Sequence, residues 1–278
     1  MRIIILMNAG SLKNNLYLKV RMMKKNISII IIIFACAIAL IWSCTKKTDL
    51  LAPTASVDGL AFLKVADFST SFRQIVNGRD SFNVYVNGNK VNGTFMTYGS
   101  FFPTTLYAGV PAGPQSIRLT VNGIATPDSI TLASFNKTLT AGAYYSFILT
   151  DSLLKPDESK QIFVQDNFAL TDTLHFSLRF IHAILNDTLG KNVDIYSTRY
   201  ATNIFSNISP GTTTAFTTLA YTLPADTLIV RRPGRLDTLA RLNIVSFSRQ
   251  RAYTLVYKGQ PGTTTAPKGR ALITYVNQ

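Results

Sequence analysis

The chain predicts an all-β protein: two tandem immunoglobulin-like antiparallel β-sandwich domains after an N-terminal signal segment. Three observations predict it. Short runs rich in Thr, Val, Ile, Tyr and Phe alternate polar and apolar residues and stop at turn dipeptides, as Ser116-Ile117-Arg118-Leu119-Thr120-Val121 does before Asn122-Gly123. Helix-favouring composition is missing, with Glu158 the only glutamate in 278 residues. Finally, sets of strand-like segments recur in the same order at offsets of 108 to 115 residues.

In chain order, residues 1–43 are set aside before the fold is judged. Met23-Lys24-Lys25-Asn26 is a positive start, Ile27 to Trp42 is apolar apart from Ser28, and small Ser43 precedes Cys44. The apolar run is shorter than the about 20 residues that a spanning helix needs, so the pattern predicts a cleaved signal peptide over 1–43, with Met23 as its natural first residue. Ile41-Trp42-Ser43-Cys44 resembles the lipobox of bacterial lipoprotein signals. That resemblance implies cleavage between Ser43 and Cys44, lipidation of Cys44, and an address in the cell envelope with the outer membrane preferred. A rival box, Ile33-Phe34-Ala35-Cys36, would leave Ala37 to Trp42 as an apolar mature terminus, which makes Cys44 the better junction. With the leader gone, Cys44 has no second cysteine for a disulfide or a zinc site.

Removing the leader also removes six basic and no acidic residues, taking the formal charge from +14 to +8. An excess of that size suits anionic surfaces such as lipid headgroups or acidic glycans; without a recognition motif it does not predict nucleic-acid binding. Residues 44–57, with TDLLAPTASV at Thr48 to Val57, read as a tether.

The body follows. Phe82-Asn83-Val84-Tyr85-Val86 ends at Asn87-Gly88, a hairpin dipeptide because both residues accept positive φ. Val-Asn-Gly begins at Val76, Val86, Val91 and Val121 and reads as strand end plus turn. Phe62-Leu63-Lys64-Val65 aligns with Ser177-Leu178-Arg179-Phe180, Phe82-Asn83-Val84-Tyr85 with Val193-Asp194-Ile195-Tyr196, and Tyr145-Ser146-Phe147-Ile148-Leu149 with Tyr253-Thr254-Leu255-Val256-Tyr257. These copies predict domains over 58–168 and 169–278, with a boundary at Ala169 to Thr173. A single large barrel is the alternative.

Leu178-Arg179-Phe180-Ile181-His182-Ala183, Asn192-Val193-Asp194-Ile195-Tyr196 and Leu223-Pro224-Ala225 resemble the DUF4397 family of envelope proteins, as do Asn83-Val84-Tyr85-Val86 and Val110-Pro111-Ala112-Gly113 in the first copy. The resemblance implies a repeated β-sandwich domain on secreted or lipid-anchored bacterial proteins, and no established activity.

The chain carries little visible chemistry. His175 and His182 lie seven residues apart, on opposite faces of one strand, which makes them poor joint ligands. Glycines never stand two apart, so G-x-G-x-x-G is missing, and neither a P-loop nor G-x-S-x-G occurs. No catalytic residue, metal site or cofactor is expected. Asp187 and Asp194 are the best carboxylate pair for a hydrolase, the least favoured reading. Arg231, Arg232 and Arg235 form the densest basic cluster, a candidate anion site or a solvated hairpin tip. The expected role is therefore non-catalytic binding, adhesion or scaffolding by a protein tied to the membrane through its lipid, with a glycan or an envelope protein as partner. A glycan-binding accessory lipoprotein of a polysaccharide-uptake system is the runner-up.

Overall fold

The computed structural model describes residues 57–70, 81–121, 131–150, 158–168, 172–187, 191–221, 225–264 and 266–278. The expected leader, Ser43, Cys44 and the tether to residue 56 lie outside the described residues. So do the Val76 tripeptide, Asn122-Gly123, Leu223-Pro224 and most of the expected boundary.

The described chain is all-β, as expected. In order it runs β1 (Leu60–Asp67), β2 (Ser81–Val86), β3 (Asn89–Lys90), β4 (Met96–Thr97), β5 (Phe101–Phe102), β6 (Ala108–Pro111), β7 (Gly113–Val121), β8 (Thr131–Leu139), β9 (Tyr144–Leu149) and β10 (Ile162–Gln165). It continues through β11 (His175–His182), β12 (Val193–Ser197), β13 (Thr202–Ile208), β14 (Thr217–Ala220), β15 (Asp226–Arg231), β16 (Ala240–Val245), β17 (Ala252–Lys258) and β18 (Ala271–Val276). Glu158–Lys160 forms one 3-10 turn.

The strands form four sheets, ordered β10-β9-β1-β5, β3-β2-β7-β8, β14-β11-β17-β18 and β13-β12-β15-β16, with β6 added to β1 and β4 to β2. The antiparallel expectation fails at two places: β1 runs parallel to β9, and β11 parallel to β17. The chain leaves β1, builds the neighbouring sheet, and returns to β1's side in the same direction, which a hairpin cannot do. The registers recur between the halves. Leu63 faces Tyr145 and Leu178 faces Tyr253, while Val84 faces Leu119 and Ile195 faces Val230.

Three cores follow from side-chain alternation along these strands. Leu63, Val65, Tyr145 and Phe147 point towards Val84, Ile117 and Leu119 of the β2-β7 sheet. Leu178, Phe180, Leu255 and Tyr257 point towards Ile195, Leu228 and Val230. The opposite faces of the same two mixed sheets meet each other through Ala66, Phe68, Ile148, Ile181, Val256 and Tyr275. The strands β1, β9, β11 and β17 are thus covered on both sides, and every residue of β17 is buried. Two-sided burial explains why their sequences run nearly unbroken in apolar residues, while β7, with one face outward, keeps strict alternation from Gln115 to Leu119.

The turn chemistry is as read at Asn87 (φ 47) and Gly88 (φ 81), which join β2 to β3. The next Val-Asn-Gly differs: Asn92 is buried, its side chain accepts the Val84 N–H at 2.7 Å and donates to the Thr94 carbonyl at 2.8 Å, so it braces a loop where a hairpin turn was expected.

Candidate functional site

The faces that join the two mixed sheets are apolar at one end and polar at the other. Register sets this up. Lys64 on β1 stands beside Ser146 on β9, and Arg179 on β11 beside Thr254 on β17, all pointing into the seam. Lys64 has 0% and Arg179 1% of its surface exposed. A buried cation is tolerable only with partners. Arg179 finds Asp166, just past β10, with Nη1 2.5 Å from Oδ1; its Nε donates to Thr254 Oγ1 at 2.8 Å, its Nη2 donates to Ser146 Oγ at 3.0 Å, and the guanidinium stacks 4.7 Å from the Phe216 ring centre.

Asp166 is the hub. Its Oδ2 accepts the Ser146 hydroxyl at 2.6 Å and the Tyr107 hydroxyl at 2.5 Å; Asn277 then donates to the Tyr107 oxygen at 2.6 Å and accepts from Thr254 at 2.6 Å. Burial, and then the nearby Asp166 carboxylate, push the Tyr107 phenol far above its ordinary pKa. Lys64 donates to the carbonyls of Pro103 and Thr105 and lies 5.3 and 5.4 Å from the ring centres of Tyr107 and Tyr275. Burial lowers its pKa to about 8, with Asp166 opposing the shift.

Outside this network runs a band of half-buried rings. Phe62 and Tyr144 face each other across the parallel pair at 4.7 Å and 17°; Tyr144 meets Tyr107 at 5.0 Å and Phe168 at 5.2 Å, and Phe168 meets Phe216 at 5.9 Å. Beside the band opens a groove of about 460 Å³, lined by Tyr144, Phe168, Gln165, Asn167, Asp166 and Gln278, with small Gly142 and Ala143 beside Tyr144.

The residues singled out from sequence fall elsewhere. Arg231 lays its guanidinium 3.9 Å from the Tyr196 ring centre, Arg232 pairs with Asp237, and Arg235 is exposed at the turn where its N–H meets the Arg232 carbonyl. Two of the three arginines are thus committed within the scaffold, Arg231 to the neighbouring strand β12 and Arg232 within its own hairpin. Asp187 accepts from Arg270 and from Tyr257, beside a pocket of about 480 Å³, whereas Asp194 accepts from Asn203 and from the Asn207 N–H. The two aspartates have separate partners. His175 and His182 bound β11; the first pairs with Asp172 at 2.6 Å, and the second is buried between Phe180 and Tyr257. Among the described residues no group of three or more His, Cys, Asp or Glu is placed to hold a metal ion.

Sequence reasoning missed the network although a signal for it existed. Lys64 and Arg179 occupy the same column of the repeat, each a lone charge between apolar neighbours, which is where a buried cation with a dedicated partner should be sought.

Comparison with known proteins finds no family model that matches this chain and no curated protein that matches it.

Proposed function

We propose that the protein is a lipid-anchored component of a bacterial cell envelope, held in the outer membrane through acylated Cys44, whose exported body serves binding, adhesion or scaffolding without catalysis. The body is read as two tandem immunoglobulin-like sandwiches resembling DUF4397, a reading supported by the recurrence of strand order and register between the halves. The observation that carries the functional reading is how the carboxylates are used. Asp166, Asp187, Asp194 and Asp226 are each buried and each accept from a guanidinium, hydroxyl, amide or backbone N–H of the scaffold, an arrangement that stiffens a display platform.

The anchor is tested by Cys44→Ala in the native host with a labelled fatty acid. Wild-type protein should carry label and sediment with membranes, while the variant should lose the label and appear in the soluble fraction. Unchanged sedimentation and an unlabelled wild type would refute it. More than one acyl chain gives stable anchoring, because each buried CH₂ contributes about 0.8 kcal/mol.

A further inference from the structure

We propose that the groove beside Tyr144 and Phe168 is a binding site for a neutral saccharide chain. The proposal rests on the exported, non-catalytic binding role above and gives that role a place and a ligand class.

The shape and chemistry of the groove select the ligand. Its volume of about 460 Å³ is ample for a short run of sugar rings. Tyr144 and Phe168 are half-buried and both line it, and the two planes meet at 56°. Phe62 stacks on Tyr144 and Phe216 meets the ring of Phe168 edge-on, so both rings are held in place before any ligand arrives. Rigid aromatic faces suit the C–H faces of pyranose rings, which are apolar, and cost little ordering entropy on binding.

Three primary amides share the lining, Gln165, Asn167 and Gln278, whose side-chain groups have no hydrogen-bond partner among the described residues. An amide presents both donors and an acceptor, the pattern that vicinal hydroxyls complement. The only charged side chain in the lining is Asp166. It is 4% exposed and already matched by Arg179, Ser146 and Tyr107, so it neither attracts a cation nor leaves an unbalanced field at the groove. An anionic ligand would surrender hydration without a counter-charge in return, whereas the hydroxyls of a neutral polyol exchange their water for hydrogen bonds to the amides.

The same geometry explains the position. The groove lies at the start of β9 and the exit of β10, where the Asp166 N–H bonds the Tyr144 carbonyl at 2.7 Å. That bond fixes the amide-bearing segment Gln165 to Asn167 against the ring-bearing strand. The buried ion pair then ties the segment to the second half of the molecule, so the site is pre-organised by the charge network behind it.

The test is affinity electrophoresis of the full chain in mild detergent, in native gels containing xylan, glucomannan or hydroxyethyl cellulose, with a heparin gel as the anionic counterpart. Wild-type protein should be retarded by at least one neutral polymer. Phe168→Ala should weaken that retardation about tenfold, as expected when an anchoring ring is lost. The pair Gln165→Ala/Asn167→Ala, at exposed positions that do not support the fold, should weaken it comparably. Retardation confined to heparin, equal retardation of wild type and both variants, or none in any neutral gel would overturn the site. Each of those results leaves the fractionation of Cys44→Ala unaffected, so failure of the groove and failure of the anchor are read separately.

Discussion

Arg179 and Asp166 form a buried ion pair at 2.5 Å, and each partner comes from a different half of the molecule. Arg179 stands on β11, and Asp166 follows β10; between them the pair spans the seam that Ile148, Ile181 and Val256 fill with apolar contact a few residues away. Apolar contact drives the two sheets together but is indifferent to register. The ion pair, with its surrounding hydroxyls and amide, fixes which residues meet.

Removing one partner of this pair should therefore cost far more than removing both. Asp166→Ala leaves a buried guanidinium without its counter-charge and should lower stability by about 3–5 kcal/mol. Arg179→Met with Asp166→Leu should recover most of that loss. Urea unfolding of the two variants and the wild type measures the difference; equal losses for the single and double changes would show that the pair does not act as a unit.

Lys64 should give the stability a pH dependence of known sign. Its folded pKa is about 8 against an ordinary value of 10.5, because burial opposes the charge more than Asp166 favours it. Below pH 8 both folded and unfolded chains are protonated there, and the full cost of burying the charge is present. Between pH 8 and 10.5 the folded form has released the proton and the unfolded form has not, so stability rises with pH across that window. Tyr107, Tyr98 and Tyr257, whose phenols are raised first by burial, act in the opposite sense above pH 10, since the unfolded chain ionises first. The difference between wild type and Lys64→Met isolates the lysine: the variant's advantage near pH 7 should shrink by on the order of 1–3 kcal/mol by pH 10, at about 1.4 kcal/mol per pKa unit. A constant difference across that range would refute the assignment.

Gly259 should be the least replaceable of the glycines near the second half's C-terminal hairpin. Its φ is 144°, and a Cβ there would lie 2.8 Å from the Gly269 carbonyl oxygen and from the Arg270 Cα, both backbone atoms. Arg270 in turn holds Asp187 at 2.5 Å, beside the Tyr257 hydroxyl. Gly259→Ala should cost about 3 kcal/mol through overpacking and backbone strain. Gly262→Ala, also at positive φ but with open space around it, should cost about 1 kcal/mol. Paired thermal melts decide; similar losses for the two would mean that the clash is relieved by movement of the hairpin.

What the sequence made legible is what local rules govern. Alternation located β7, Asn87-Gly88 located a hairpin, and the column that aligns Leu63 with Leu178 and Tyr145 with Tyr253 recurs as paired positions in the two mixed sheets. What it hid depends on contacts between distant segments. Parallel pairing of β1 with β9 leaves no mark on either strand, because both faces are buried whichever neighbour supplies the cover. The groove joins Tyr144, Gln165 to Phe168, and Gln278, residues that become neighbours only when β10 and the chain after β18 reach the same edge. The arginine cluster was conspicuous because its charges are contiguous in sequence, yet stacking on Tyr196 and pairing with Asp237 take up two of its members.

Ile244 is the clearest place to improve the protein. It sits in β16 where the register against β15 shifts between Asp226 and Leu228, with φ 53° and 82% of its surface exposed. A bulge of this kind asks for glycine or asparagine, because a β-branched side chain in the left-handed region meets its own backbone at a cost of about 1–2 kcal/mol. The isoleucine recovers little of that cost through burial. Ile244→Asn should therefore raise stability by about 1 kcal/mol, and Ile244→Gly by less, since glycine also frees the unfolded chain. Val245, the buried neighbour at 9% exposure, supplies the contrast: Val245→Asn should be destabilising by about 2 kcal/mol or more. Urea midpoints for the three variants test the ordering, and a loss of stability in Ile244→Asn would show that the exposed side chain is held by a contact worth more than the strain.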